Sequence, residues 1–248
     1  MDGSRLGLMD GLRLDGHTAV VTGGAGAIGT AITRDLTALG AQVIVADLTP
    51  TAPDLMPRFL PLDLRDPDSI EHFCAQTGEG VDILIHNAGV SVVEPFATSD
   101  PAAWDLMWQV NLRGPMLLTK LLLPSMTRRG WGRLVFISSD GARAGSGGEG
   151  AYAATKAGLF GLAKSLAREV ARDGITANVV CPGPTDTPML RRVSDQHPGL
   201  VDKLTRTIPL RRLGTPEDVA GLVAYLCTPR AAYITGQTLS VSGGVTMQ

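Results

Sequence analysis

The sequence predicts an α/β protein built on a doubly wound parallel sheet. Three observations carry that prediction. Residues 17–22 form a short β-rich run that passes at once into Gly23-Gly24-Ala25-Gly26-Ala27-Ile28-Gly29, and residues 30–39 then place Ala31, Ile32, Leu36 and Leu39 at helical spacing. A second apolar run, residues 42–46, ends on Asp47, completing strand, glycine turn, helix, strand and acid. Strand-like and helix-like segments then alternate to the C-terminus without a shift in composition, which argues for a single domain over residues 14–248. A chain of 248 residues is long enough to bury a sizeable core.

The remaining elements follow in order. Gly40 closes the first helix, and the proline-rich residues 50–57 read as a loop. Residues 58–62 are a third strand ending at Asp63-Leu64, and Pro67 opens a helix through residue 73. Residues 81–85 are a fourth strand, running into His86-Asn87-Ala88-Gly89, whose small residues let a ligand lie against backbone. Residues 101–124 read as one long helix with Trp104, Met107, Trp108, Leu112, Leu117 and Leu121 largely to one side. Asn111 sits inside it, a poor mid-helix residue because its amide competes for backbone hydrogen bonds; it is either a tolerated polar residue or a contact to an ordered water near a site. Residues 133–137 are a fifth strand, 151–171 a long helix stopped by Gly174, and 175–181 a sixth strand. Residues 182–188 turn the chain, and 189–212, interrupted by Pro198 and Pro209, show no clean periodicity and read as a mobile lid at the C-terminal edge of the sheet. Thr215 caps a helix that Pro216 starts, and residues 237–241 are the last strand. Residues 1–13 read as a loose leader.

Composition narrows the function. The net charge is −2 and aromatics make up 4%, which speaks against nucleic acid and against an anionic membrane surface. No apolar run reaches membrane length. The three cysteines, Cys74, Cys181 and Cys227, are far apart, so reduced thiols and a cytoplasmic setting are expected. The four histidines, His17, His72, His86 and His197, form no metal-type cluster, and no metal site is expected.

The chemistry concentrates in residues 138–156. An apolar run delivers Ser138 and Ser139, a glycine-rich loop follows, and Tyr152 and Lys156 stand one helical turn apart on the same face. An ammonium beside a phenol favours the phenolate and lowers the tyrosine below its reference value of about 10, which makes it a usable acid or base. Taken alone, the pair also fits an ordinary surface tyrosine and lysine. Upstream, the strand–glycine turn–helix unit suits a dinucleotide: glycines admit phosphate to the backbone, and the helix end offers N–H groups and the positive end of its dipole. Asp47 suits a ribose with free hydroxyls and repels a ribose phosphate, so NAD is expected over NADP; the bland alternative is a turn residue after a strand.

Thr22-Gly23, Ala27-Ile28-Gly29, Asn87-Ala88-Gly89, Asn111, Ser139, Tyr152, Lys156 and Pro182-Gly183, in this order, resemble the short-chain dehydrogenase/reductase family over nearly the whole chain from Leu14. The resemblance implies a single-domain Rossmann fold with an extra C-terminal strand and a homotetramer or homodimer built on the long helices. It implies Tyr152 as catalytic acid/base, Lys156 as the lysine that lowers its pKa and holds the nicotinamide ribose, Ser139 as the holder of the reacting oxygen, and Asn111 as the residue that orders a relay water. Ser138 is then structural. It further implies cofactor contacts from Gly23, Gly26, Ala27, Ile28, Gly29, Asp47, Leu48, Asp63, Leu64, Asn87, Ala88, Gly89, Pro182, Gly183, Thr185 and Thr187, with Asp63 and Leu64 at the adenine and Thr187 at the carboxamide. Two positions depart from the family pattern: Ala27 stands where glycine is most frequent, and His86 where asparagine is.

A narrower resemblance joins residues 138–143, 147–149, 180–187 and 239–244 to 2-hydroxycyclohexane-1-carbonyl-CoA dehydrogenases, which oxidise a β-hydroxyacyl-CoA on an alicyclic ring. The general pattern is equally similar to β-ketoacyl-carrier-protein reductases, which usually use NADPH. The expected activity is NAD-dependent interconversion of a secondary alcohol and a ketone on a small-molecule substrate. An NADPH-dependent 3-oxoacyl-carrier-protein-type reductase and a non-catalytic NAD-binding sensor or scaffold are the rivals; a sensor's signature is a broken catalytic set, and this set is intact. Arg191 and Arg192, on the lid, are either contacts for CoA phosphates or a solvated basic pair.

Overall fold

The computed structural model describes residues 7, 9–50 and 57–247. Seven parallel strands form one sheet: β1 (Thr18–Thr22), β2 (Gln42–Asp47), β3 (Phe59–Pro61), β4 (Val81–His86), β5 (Gly132–Ile137), β6 (Ile175–Pro182) and β7 (Thr238–Val241). Their order is β3-β2-β1-β4-β5-β6-β7, so the strand order reverses between β1 and β4. In such sheets the crevice at the carboxyl ends of the two switch-point strands is where ligands bind. Here those ends are Thr22 and His86, which pair directly.

Helices cover both faces. On one side α1 (Ala27–Ala38) and α9 (Pro216–Cys227) close a core of Val21, Ile32, Leu36, Ile83, Val135, Val219 and Val223. On the other, α2 (Pro67–Thr77), α4 (Gly114–Arg129) and α6 (Gly150–Val170) close a second core around Phe73, Leu84, Leu118, Phe136 and Leu159. The central strands β4 and β5 are buried along their whole length, because both of their faces are covered. Their sequences are therefore mostly apolar rather than alternating, with Asp82, His86 and Arg133 as buried polar exceptions.

Three expectations change. The single helix over residues 101–124 is α3 (Pro101–Trp108), a π-helical turn over Gln109–Arg113, and α4, which runs on through Pro124 to Arg129. The Gly114 N–H reaches back to the Gln109 carbonyl, and Pro115 has no N–H to give the Asn111 carbonyl its α-type bond. The unstructured lid is two short helices, α7 (Pro188–Gln196) and α8 (Leu200–Thr207), which Pro198 and Gly199 (φ 82°) separate. Helices of 9 and 8 residues are too short for a 3.6-residue period to stand out in the sequence. The leader is not wholly loose: Asp10–Leu12 form a 3₁₀ turn with Gly11 buried against Arg230, while residues 1–6 and 8 lie outside the described residues, as do 51–56 of the proline-rich loop. Between β5 and α6 the chain makes one further short helix, α5 (Gly141–Ala144). Thr215 caps α9 as expected, in a reciprocal capping box with Asp218.

Candidate active site

A cleft of about 520 Å³ opens at the switch point. Thr22, Gly23, Gly26, Ala27, Ile28, Asp47, Leu48, Asp63, Leu64, Asn87, Ala88, Gly89 and Thr187 wall it, which brings most of the sequence-predicted cofactor residues together. Its volume falls in the ~300–1,000 Å³ range of small-molecule sites.

The glycine-rich turn is shaped by close approach. A Cβ on Gly29 would stand 2.2 Å from the Gly23 carbonyl oxygen, so only glycine lets α1 start under this turn. Gly29 thus packs the turn rather than lining the cleft. Ala27 is the first residue of α1, with ordinary helical backbone, so no glycine is required there. Gly26 caps α1 without a side-chain bond, which leaves the N–H groups of the first turn facing the cleft for an anion. The Asn87 side chain ties β4 to the turn by donating to the Thr22 and Gly23 carbonyls at 3.0 and 2.9 Å.

At the far end of the cleft, the Asp47 carboxylate accepts the Ala25 N–H at 3.1 Å and the Leu48 N–H at 2.8 Å. Asp63 accepts from the Arg65 guanidinium, the shortest contact being 2.6 Å, and this pairing holds its carboxyl below the ordinary range. Arg65 and Arg192 also wall the cleft, so cations do stand there; Arg65 is engaged by Asp63, and Arg192 donates to the Pro188 carbonyl. Arg191 instead pairs with Asp186 at 2.8 Å, outside the cleft.

The chemistry lies just beyond the cleft wall: Asn111, Ser139, Tyr152 and Lys156 are not among the residues that line it, and Lys156 meets it at Gly89. Ser139 ends the β5 connection; its Oγ accepts the Gly141 N–H at 3.1 Å and stands near enough to the Tyr152 phenol to pull its pKa down. Ser138 turns inward, and its Oγ donates to the Lys156 carbonyl at 2.9 Å. The Lys156 ammonium is buried, donates to the Ile137 carbonyl at 2.8 Å, and lies against Gly89, where an added Cβ would be 2.9 Å from Nζ. Burial pushes Lys156 down to about 8. The expected lowering of Tyr152 is absent. Burial, with the Glu149 carboxylate adding to it, pushes the phenol up to about 12, against the opposing pull of Ser139. Lys156 Nζ stands 5.9 Å from the Tyr152 ring centroid with one of its hydrogens donated to the Ile137 carbonyl, and that leaves desolvation the larger effect.

Asn111 is fully buried in the π turn. Its Oδ1 accepts the Val90 N–H at 2.8 Å, and its Nδ2 donates to the Val90 carbonyl at 2.9 Å and to Thr155 Oγ1 at 3.2 Å. The side chain is therefore a clamp between the loop after β4 and α6. What it offers a water is its main-chain carbonyl, which Pro115 leaves without the usual helical donor.

Pro182, Gly183 and Thr185 stand outside the cleft wall. Pro182 accepts the Asp140 N–H at 3.0 Å, the Gly183 N–H bonds Val241, and the Thr185 hydroxyl donates back to Gly183 while lining a separate cavity of about 300 Å³ beside β7. Leu106, Val110, Pro188 and Met189 wall the cleft without any sequence signal for it. Among the described residues, no three His, Cys, Asp or Glu side chains gather as a metal ion requires. No helix there is long and apolar enough to cross a membrane.

Known proteins resemble this chain in sequence and in fold. A family model described as enoyl-(acyl carrier protein) reductase matches residues 23–246. The chain is 39% identical over 244 residues to nodulation protein G of Rhizobium sp. (strain N33), covering 94% of this chain and 98% of that one. It is 39% identical over 248 residues to 3-oxoacyl-(acyl-carrier-protein) reductase FabG of Escherichia coli (strain K12), covering 95% and 100%. It is 36% identical over 252 residues to 2,3-dihydroxy-2,3-dihydro-p-cumate dehydrogenase of Pseudomonas putida, covering 95% and 96%. The crystal structure of gox2181 superposes with a TM-score of 0.91 at 30% identity, covering 96% of this chain and 98% of that one.

Proposed function

The chain belongs to the short-chain dehydrogenase/reductase family, and on that premise we propose that it is an NAD-dependent enzyme interconverting a secondary alcohol and a ketone. The observation that carries the reading is the junction, at one switch point, of a dinucleotide-sized cleft with the Ser139, Tyr152 and Lys156 cluster. The residues present fit the cofactor. Asp47 and Leu48 would hold the adenosine ribose, Asp63 and Leu64 the adenine, the uncapped end of α1 the diphosphate, and Asn87, Gly89, Lys156 and Thr187 the nicotinamide half. Bound NAD supplies the hydride acceptor.

The chain's own residues handle the proton. Ser139 Oγ holds the carbinol oxygen, and Tyr152 exchanges its proton with it. A tyrosine held near 12 is a poor base, so oxidation requires that substrate and cofactor bring the Lys156 charge into play, whereas for carbonyl reduction the protonated phenol is ready. Lys156 and the Asn111 carbonyl lead the proton toward solvent. The Asp47 carboxylate, placed where a ribose phosphate would add negative charge, supports NAD over NADP. The exposed Trp108, Met116 and Leu121 on the α3–α4 side support self-assembly through that face.

The test is an activity screen with NAD across cyclic secondary alcohols and β-hydroxyacyl-CoAs, ring-borne ones first, with paired NAD and NADP titrations. Tyr152→Phe should abolish NADH formation while NAD still binds. Unchanged turnover sinks the mechanism, and tighter NADP binding overturns the reading of Asp47. The relatives named as acyl-carrier-protein reductases favour one second reading, reduction of a 3-oxoacyl thioester, and the same screen run in reverse decides it.

A further inference from the structure

Glu149 lies three residues before Tyr152, at the threshold of α6. It is half-buried, and among the described residues no hydrogen bond or ion pair holds its carboxylate. Two observations place that carboxylate at the reacting position. A Cβ built on Gly141 would lie 2.9 Å from Glu149 Oε2 and 3.3 Å from Ser139 Oγ, so both oxygens surround one small space that the glycine keeps open. Ser139 in turn neighbours Tyr152, whose phenol Glu149 raises through its charge. An alcohol seated between Ser139 and Tyr152 therefore brings the group next to its carbinol carbon within a few ångströms of a carboxylate.

We propose that Glu149 is a charge filter: it admits alcohols whose neighbouring group is neutral, esters and thioesters included, and rejects the corresponding free carboxylates. The inference rests on the proposed seating of the carbinol oxygen and deepens it by naming a substrate class. Two like charges roughly 6 Å apart at a partly wet rim disfavour the anion by about tenfold or more. No new attraction is needed, because discrimination by repulsion is sufficient.

The test compares 2-hydroxycyclohexane-1-carboxylate with its methyl ester. With NAD, kcat/KM of the unaltered chain should favour the ester by about tenfold or more, and Glu149→Gln should shrink that ratio about fivefold. Glu149→Ala should act in the same direction and serves if the glutamine variant folds poorly. The same pair is titrated calorimetrically against Tyr152→Phe with and without Glu149→Gln, because binding does not depend on turnover. An ester-to-acid ratio that Glu149→Gln leaves unchanged in both measurements overturns the filter. If no NADH forms from the ester while the calorimetric ratio still shifts with Glu149→Gln, the proposed reaction fails and the filter stands.

Discussion

Acidifying this protein from pH 7 to pH 5 should cost it about 2 kcal/mol through one side chain, His86. The imidazole closes β4 in the core, 2% exposed, stacked on Phe136 with centroids 4.7 Å apart. Its Nε2 shares a 2.8 Å hydrogen bond with Thr119 Oγ1, and its Nδ1 has no partner. A proton on Nδ1 would add a buried charge with no acceptor. Burial first, and then the Lys156 charge, lowers this histidine to about 3. In the unfolded chain it titrates near 6.5. Between those values the unfolded chain binds the proton and the folded one does not, so stability falls as the pH drops through 6.5 and goes on falling toward 3. At pH 5 the difference amounts to about one and a half units at 1.36 kcal/mol each. Urea unfolding at pH 7, 6 and 5, at fixed protein concentration, measures it against His86→Asn, with His86→Gln as a bulkier control. The other three histidines are common to all the proteins and cancel. The unaltered chain should lose about 2 kcal/mol more than either variant between pH 7 and 5. Parallel losses would refute the reasoning.

Two further outcomes are expected. Lys156 titrates at about 8 in the fold and near 10.4 unfolded, so the penalty of its buried ammonium stands in full below pH 8 and is relieved as the pH rises. Relative to Lys156→Met, the unaltered chain should gain about 2 kcal/mol between pH 8 and 10; the raised thiols of Cys74, Cys181 and Cys227 pull the other way in both proteins, so the difference is what the unfolding curves must show. Gly89→Ala pushes a methyl group against the Lys156 ammonium, and NAD affinity, read from tryptophan fluorescence, should weaken about tenfold, or ~1.4 kcal/mol. An unchanged Kd would show that the ammonium has room to move.

The sheet was legible because its signals are local. Buried parallel strands are mostly apolar, and the turn from β1 into α1 needs glycine where a side chain has no space. What escaped the sequence depends on partners far along the chain. Asn111 read as a contact to an ordered water, yet its amide is consumed by Val90 on the loop after β4 and by Thr155 on α6, which only the tertiary fold brings together. The Tyr152 and Lys156 spacing correctly gave a shared helix face. It could not give the Ile137 carbonyl that accepts the lysine's hydrogen bond, nor the burial that outweighs the pair's attraction. Arg65 carried no signal either: its place in the cleft follows from its grip on Asp63, and two neighbouring opposite charges look the same on any exposed loop. The helices of the expected lid were hidden by their shortness.

The strand order has a consequence for how the chain comes to be folded. Neighbours β1 and β4 are joined by contacts such as Thr18 to Asp82, 64 residues apart, and every strand pair in the sheet is parallel, so no hairpin can start the sheet locally. During synthesis β1 has its second partner only after β4 leaves the ribosome, and until then one of its edges is open to pairing with other chains. The cleft's floor is that same β1–β4 seam. Ligand binding therefore cannot assist the early stages of folding, and a nascent chain ending before His86 should be held by chaperones rather than rescued by cofactor.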